Sequence, residues 1–273
     1  MKQILVASDF SKCAANAMAY AVELAKVLQL KICVIHAIQH TEGVNNSTYN
    51  AIFIEKYYEN KRQALKEWAA GFIAQDKDAP VHMTTLCHVG FLKNVVSHYI
   101  NQHPVELLIM GTAGSTGITA VGGSNVSMMV RKIKIPTLII PLEIKFKKTP
   151  IITLATDFET RLSAEDVNAL NKMVKAFGPA KMQVLYVAGK PEGKAILIGE
   201  SKLKDLIKHT KLEFNYISNN SAINGIINFI ASNETDILCL VKHQHNIIYR
   251  LFTRSTVNQA VNKTVTAILV LHE

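Results

Sequence analysis

Short apolar runs alternate along this chain with stretches whose apolar residues recur every three or four positions. Gln3 to Ala7 reads as a strand. Ala15, Met18, Val22 and Ala25 mark one face of the helix after it, with Ser11 as its cap. Lys31 to Ile38 reads as a second strand, Phe53 to Ile73 as a long helix, Val81 to His88 as a third strand and Leu92 to Ile100 as a helix. Val105 to Met110 is a fourth strand, followed by a glycine-rich loop from Gly111 to Gly123. Ser124 caps a last helix that ends near Lys132, and Thr137 to Ile140, bounded by Pro136 and Pro141, is the fifth strand. Strands alternating with helices imply parallel βαβ units and a sheet covered on both faces. The unbroken apolar runs Leu107-Leu108-Ile109-Met110 and Ile237-Leu238-Cys239-Leu240 fit strands buried on both sides.

The pattern occurs twice. Val6-Ala7-Ser8-Asp9-Phe10 recurs as Leu154-Ala155-Thr156-Asp157-Phe158, 148 residues on, and Lys31 to His36 recurs as Lys181 to Tyr186, 150 residues on. Glu106 to Met110 recurs as Asp236 to Leu240, and Pro136 to Pro141 as Thr266 to Leu271, both 130 residues on. Four matches in one order indicate a tandem repeat. The drop in spacing places a deletion of 20 residues in the second copy, after its second strand. The first copy holds a polar stretch there, His40 to Asn50, which reads as a surface loop extension. The expected domains are 1–143 and 149–273.

Composition narrows the class. The hydrophobic fraction of 49% and charged fraction of 19% suit a chain that buries a sizeable core. The N-terminus lacks the pattern of a signal peptide, and no run reaches the ~18 apolar residues needed to span a bilayer, so a cytoplasmic protein off the membrane is expected. Cys13, Cys33, Cys87 and Cys239 lie far apart inside apolar patterns and read as reduced thiols. The net charge of +9 raises the question of nucleic acid, but the lysines are scattered and do not interleave with aromatics. The densest group, Lys145, Lys147 and Lys148, lies where a linker is expected, so nucleic-acid binding is disfavoured.

In parallel sheets ligands bind at the carboxyl ends of strands, where strand order reverses. Asp9 stands at such an end. It is placed to accept hydrogen bonds from a ribose or an adenine amine, or else to serve as a turn acid that helps start the next helix. The fourth strand runs into Gly111-Thr112-Ala113-Gly114 and on to Gly122-Gly123-Ser124-Asn125. Glycines let main-chain amides approach phosphate oxygens, and a helix start offers free amides and a positive dipole end. A flexible loop explains glycine enrichment equally well. The loop is neither a Walker loop nor the dinucleotide fingerprint.

These residues, Val6 to Ser11 and the loop from Met110 to Asn125, resemble the universal stress protein family in its tandem two-domain form. The resemblance covers essentially the whole chain as two copies. It implies an α/β fold of two tandem copies of a five-stranded parallel sheet with helices on both faces, Rossmann-like and of the adenine nucleotide alpha hydrolase type. The loop looks like the family signature Gly-x2-Gly-x9-Gly-[Ser/Thr], and members carrying it bind ATP or AMP, with or without Mg2+. By position, Asp9 would contact the adenosine end with Ala7 and Ser8 beside it, and Ala37 would line the adenine pocket. Met110, Gly111, Thr112 and Gly114 would wrap the ribose and phosphates, and Gly123, Ser124 and Asn125 would hold phosphate oxygens. One departure stands out: eight residues, not nine, separate Gly114 from Gly123. The resemblance also implies antiparallel pairing of the two last strands, Thr137 to Ile140 with Ala267 to Leu271, giving an intrachain pseudo-dimer. A homodimer of whole chains stays open.

The second copy keeps Asp157, but Val241 to Ser255 contains no glycine, so Cβ atoms stand where backbone would approach phosphate. A nucleotide site is therefore expected in the first copy alone, and Arg250 and Arg254 are left to meet an anion or a partner. His243 and His245 have no second ligand pair at metal spacing, His36 reads as a core histidine, and Trp68, Tyr57 and Tyr58 read as packing residues. No general base is visible near the loop, so little or no hydrolysis is expected. A nucleotide-independent scaffold with both sites decayed is the alternative.

Overall fold

The computed structural model describes residues 2–39, 51–74, 81–112, 124–158, 162–178, 181–188, 193–242 and 266–272. The first copy contains β1 (Gln3–Ala7), α1 (Lys12–Leu28), β2 (Lys31–Ile38), α2 (Ala51–Ala70), β3 (Met83–Val89), α3 (Leu92–Gln102), β4 (Val105–Thr112), α4 (Ser124–Lys132) and β5 (Thr137–Pro141). The second contains β6 (Ile152–Thr156), α5 (Ala164–Ala176), β7 (Met182–Ala188), α6 (Gly193–Leu206), β8 (Leu212–Ser218), α7 (Ala222–Ser232), β9 (Ile237–Lys242) and β10 (Ala267–His272).

All ten strands join one sheet in the order β3-β2-β1-β4-β5-β10-β9-β6-β7-β8. Pairing is parallel within each copy and antiparallel at the single seam between β5 and β10, where Ile268 faces Ile139, Leu269 faces Leu138 and Val270 faces Thr137. The last strands therefore pair as expected. In each copy the order reverses beside the first strand, at β1/β4 and at β6/β9, which sets the crevice there.

Strand periodicity sorts the core into two layers. Ile4, Val6, Ile32 and Val34 pack with α1, α2, α5 and α6 on one face, and Leu5, Ala7, Cys33 and Ile35 pack with α3, α4 and α7 on the other. Each layer runs unbroken from the first copy into the second. The helices start where their caps dictate. Ser11 Oγ accepts from Ala14 N at 3.1 Å, and Ser163 Oγ accepts from Asp166 N at 3.1 Å, satisfying amides that have no partner inside the helix. α1 ends on Gln29 in the left-handed region, φ 54°.

The segment joining the copies is pinned. Asn16 donates to the carbonyls of Pro141 and Ile144 at 2.9 and 2.8 Å, and accepts from Lys145 at 2.7 Å. Phe146 packs on Tyr20 of α1 and on Phe177 after α5, and Lys147 pairs with Asp236. Two members of the lysine group thus have assigned partners.

The bounds of four elements depart from the patterning. β4 continues through Gly111 and Thr112, which pair with Ile140 and Pro141, so these two residues belong to the strand, not the loop. Ser124 is the first residue of α4 rather than a cap before it. α2 spans Ala51–Ala70 and β3 begins at Met83. The shortening of the second copy falls partly in its helix, since α6 has 14 residues against 20 in α2. Among the described residues no helix is long and apolar enough to cross a membrane.

Candidate functional site

The ends of β1, β2 and β4 open into a cleft of about 550 Å³ at the β1/β4 switch point. Its size lies within the range of small-molecule sites. Ala7, Ser8, Asp9, Ala37, Met110, Gly111, Thr112 and Asn125 all line it, so eight of the eleven residues singled out from the sequence come together. Ser124 adjoins Asn125 at the start of α4. Gly114 and Gly123, with the rest of 113–123, lie outside the described residues, as do His243, His245, Arg250 and Arg254.

The β1 end is a tight turn. Ser8 is buried and its amide donates to Ile35 O at 2.9 Å, while its Oγ accepts from Phe10 N at 3.2 Å. Asp9 is exposed, and its Oδ1 accepts from Ser11 N at 3.0 Å. That is the turn role weighed against ligand contact, and it engages one carboxylate oxygen. Between them Phe10 takes φ 63°, a conformation costly for a bulky side chain. The strained backbone sends the Phe10 ring over His36 (centroids 4.7 Å apart) and against Trp68 at 5.9 Å, with Lys61 Nζ 5.9 Å from its centroid.

Gly111 has a structural reason to be glycine. A Cβ there would overlap the Cys13 carbonyl and lie 2.9 Å from Ala14 N, so β4 can approach the first turn of α1 only without a side chain. Gly111 thus lines the cleft and also admits the protein's own backbone.

His36, set aside from sequence as a core residue, also lines the cleft. Its Nδ1 lies 2.8 Å from Ser8 O, and its Nε2 is buried without a partner. Lys61, Phe91 and Leu92 complete the walls, with Phe91 66% exposed at the mouth. Their distance in sequence from the glycine loop gave no signal for them.

The second copy repeats the turn. Phe158 has φ 62°, and its amide donates to Thr156 Oγ1 at 3.0 Å. Tyr186 replaces His36 and stacks on Phe158 at 4.8 Å and 21°. Phe158 also presses on α6 so closely that a Cβ at Gly199 would overlap its ring.

A model of the universal stress protein family matches residues 1–141. No curated protein sequence matches the chain. Among solved structures, a universal stress protein from Archaeoglobus fulgidus DSM 4304 superposes with TM-score 0.72 at 14% identity, over 98% of this chain and 97% of that one. The cytoplasmic domain of a prokaryotic cation chloride cotransporter superposes with TM-score 0.58 at 12% identity, over 99% of this chain and 95% of that one. At such identities the likeness is one of fold.

Proposed function

Since the chain belongs to the universal stress protein family, we propose that its first copy, residues 1–143, holds an adenine nucleotide without turning it over, and that its second copy, residues 149–273, is the fixed partner of the first. The observation that carries this reading is the cleft at the β1/β4 switch point, into which eight candidate residues converge. Members of the family that carry the glycine signature bind ATP or AMP. Here Asn125, in the first turn of α4, lines the cleft wall where free amides and the helix dipole favour phosphate. Asp9 is the sole carboxylate among the described lining residues and Oδ1 is committed to Ser11 N. A Mg2+ ion would therefore depend chiefly on the nucleotide's phosphates, and no second acid stands by as a general base.

The second copy supports the asymmetry. It carries Tyr186, stacked on Phe158, where the first copy has His36, and Val241 where the first copy has Gly111. Titration of the purified protein with AMP and ATP by calorimetry tests the proposal. Saturable binding that Asn125→Ala weakens is expected. Absence of heat at millimolar nucleotide overturns it.

One observation favours the second reading, a nucleotide-independent scaffold. Packing against Cys13 explains Gly111 without any ligand. On that reading neither nucleotide binds, and stability alone responds to changes in the cleft.

A further inference from the structure

A second cavity, of about 320 Å³, lies at the amino ends of β1, β2 and β3, the far end of the strands from the β1/β4 cleft. We infer that it takes a small phosphate-type oxyanion, held by Lys31, His82 and His103. Gln3 stands opposite Lys31 in the sheet, and Ile32 N donates to His82 O at 2.9 Å, so three strand heads meet there. Residues two apart on a strand share a face, which sets Lys31 with Cys33 and with Thr84, the partner of Cys33 on β3. α3 packs on that face, and His103 follows its last turn. The neutral groups lining the cavity are already engaged. Tyr99 Oη accepts from Gln3 Nε2 at 2.8 Å, and Thr84 Oγ1 donates to Ile32 O at 3.4 Å. What remains is the Lys31 ammonium and two imidazole rings. Among the described residues no Asp or Glu lines the cavity, and Lys31 has no ion pair. Two histidines alone would suit a metal ion, but an ammonium beside them repels a cation and attracts an oxyanion.

The second copy isolates what is unusual here. Lys181 repeats Lys31, and Gln183 repeats Cys33. Gln183 pairs with Glu213 as Cys33 pairs with Thr84, so Glu213 holds the place of Thr84. Glu213 takes Lys181 at 2.9 Å. The cavity at that end of the second copy, lined by Lys181, Lys211 and Glu213, therefore carries its own counter-charge. In the first copy Thr84 supplies none, and the charge of Lys31 is left for a ligand. The volume, at the lower end of the range for small-molecule sites, suits a phosphate group on a small body.

Titration of the full chain with inorganic phosphate, followed by the ring resonances of His82 and His103 at constant ionic strength, tests the site. Saturable shifts of both rings are expected. Lys31→Met is expected to weaken binding about tenfold, the usual worth of a hydrogen bond to a charged group. Thr84→Glu, which installs the ion pair of the second copy at an exposed strand position, is expected to weaken it as much while leaving the urea midpoint in place. Glycerol phosphate separates the two sources of the group. Tighter binding than inorganic phosphate supports a small phosphomonoester as the ligand, and equal binding supports the free anion. Shifts that sodium chloride reproduces, or that persist undiminished in both variants, overturn the site. Saturable Zn2+ binding at the two rings with no response to phosphate overturns it in favour of a metal.

Discussion

Lys172 on α5 donates to Glu106 at the head of β4 at 2.8 Å, joining the second copy to the first. The Glu106 side chain is 6% exposed, and its other cation, Lys2, is 4.0 Å away. Its repeat counterpart, Asp236, takes Lys147 at 2.6 Å and the amide of Ile151 at 2.9 Å. The equivalent acids of the two copies therefore each capture a lysine from beyond their own copy. Lys172→Met is expected to cost about 1–2 kcal/mol, because it leaves a buried carboxylate poorly paired. Solvent around the half-exposed lysine holds the figure at that level. Urea titration reads the loss, and Glu106→Gln in the same chain is expected to restore part of it. A Lys172→Met midpoint equal to the wild type removes this pair from the seam.

Gly111→Ala is expected to destabilise the fold by about 1–3 kcal/mol, the usual range for overpacking. The overlap is with Cys13 backbone, which cannot swing aside as a side chain would. In the second copy Val241 stands at this strand position, and four residues, 159–162, separate Phe158 from Ser163 where Phe10 and Ser11 are adjacent. Thermal unfolding of Gly111→Ala provides the measurement. An unchanged midpoint would return this glycine to the ligand.

The four thiols divide by environment. Burial pushes the Cys239 thiol up, and burial pushes Cys33 up against the opposing hydrogen bonds of Tyr99 and Thr84. Less thiolate at pH 8 means slower alkylation, since the thiolate is the nucleophile. Cys13 and Cys87 are half-buried, and Cys13 lines the cleft. Iodoacetamide is expected to label Cys13 and Cys87 in the native protein, and Cys33 and Cys239 only in denaturant. Saturating AMP is expected to slow Cys13 and leave Cys87 alone. Peptide mapping that found Cys239 among the first thiols labelled would contradict the buried strand.

Alkaline pH acts through phenols on α1 and α3. Burial, helped by the negative charge of Asp236, holds the Tyr20 phenol well above its ordinary range. Tyr99 is raised by burial and by its hydrogen bond with Cys33. The unfolded phenols release their protons near pH 10 while the folded ones keep them, so the native state binds more protons there. This contribution is intact below about pH 10 and is lost as pH rises beyond it. Urea midpoints are expected to hold steady from pH 7 to about 9 and then fall, with Tyr20→Phe flattening the decline. A decline that Tyr20→Phe leaves unaltered would assign it to other groups.

Hydrophobic periodicity carried most of the architecture. Strands buried on both faces, as in Leu107–Met110, and helices with one apolar stripe leave few alternatives, and the recurrence of Asp9-Phe10 as Asp157-Phe158 exposed the duplication. The boundary at Gly111 was misread because composition treats glycine as loop. In this structure the same residue type serves a tight contact between a strand and a helix. His36 is buried, as its place inside an apolar run predicts, but its contact with Ser8 O and the left-handed Phe10 beside it are not written in residue order.

The antiparallel seam between β5 and β10 also fixes how the two halves stay together. Paralogous halves tethered in one polypeptide meet at an effective concentration set by their short tether, so dilution does not part them. Neither half can be exchanged for another copy of itself, so a change at one copy's strand ends meets the same companion every time.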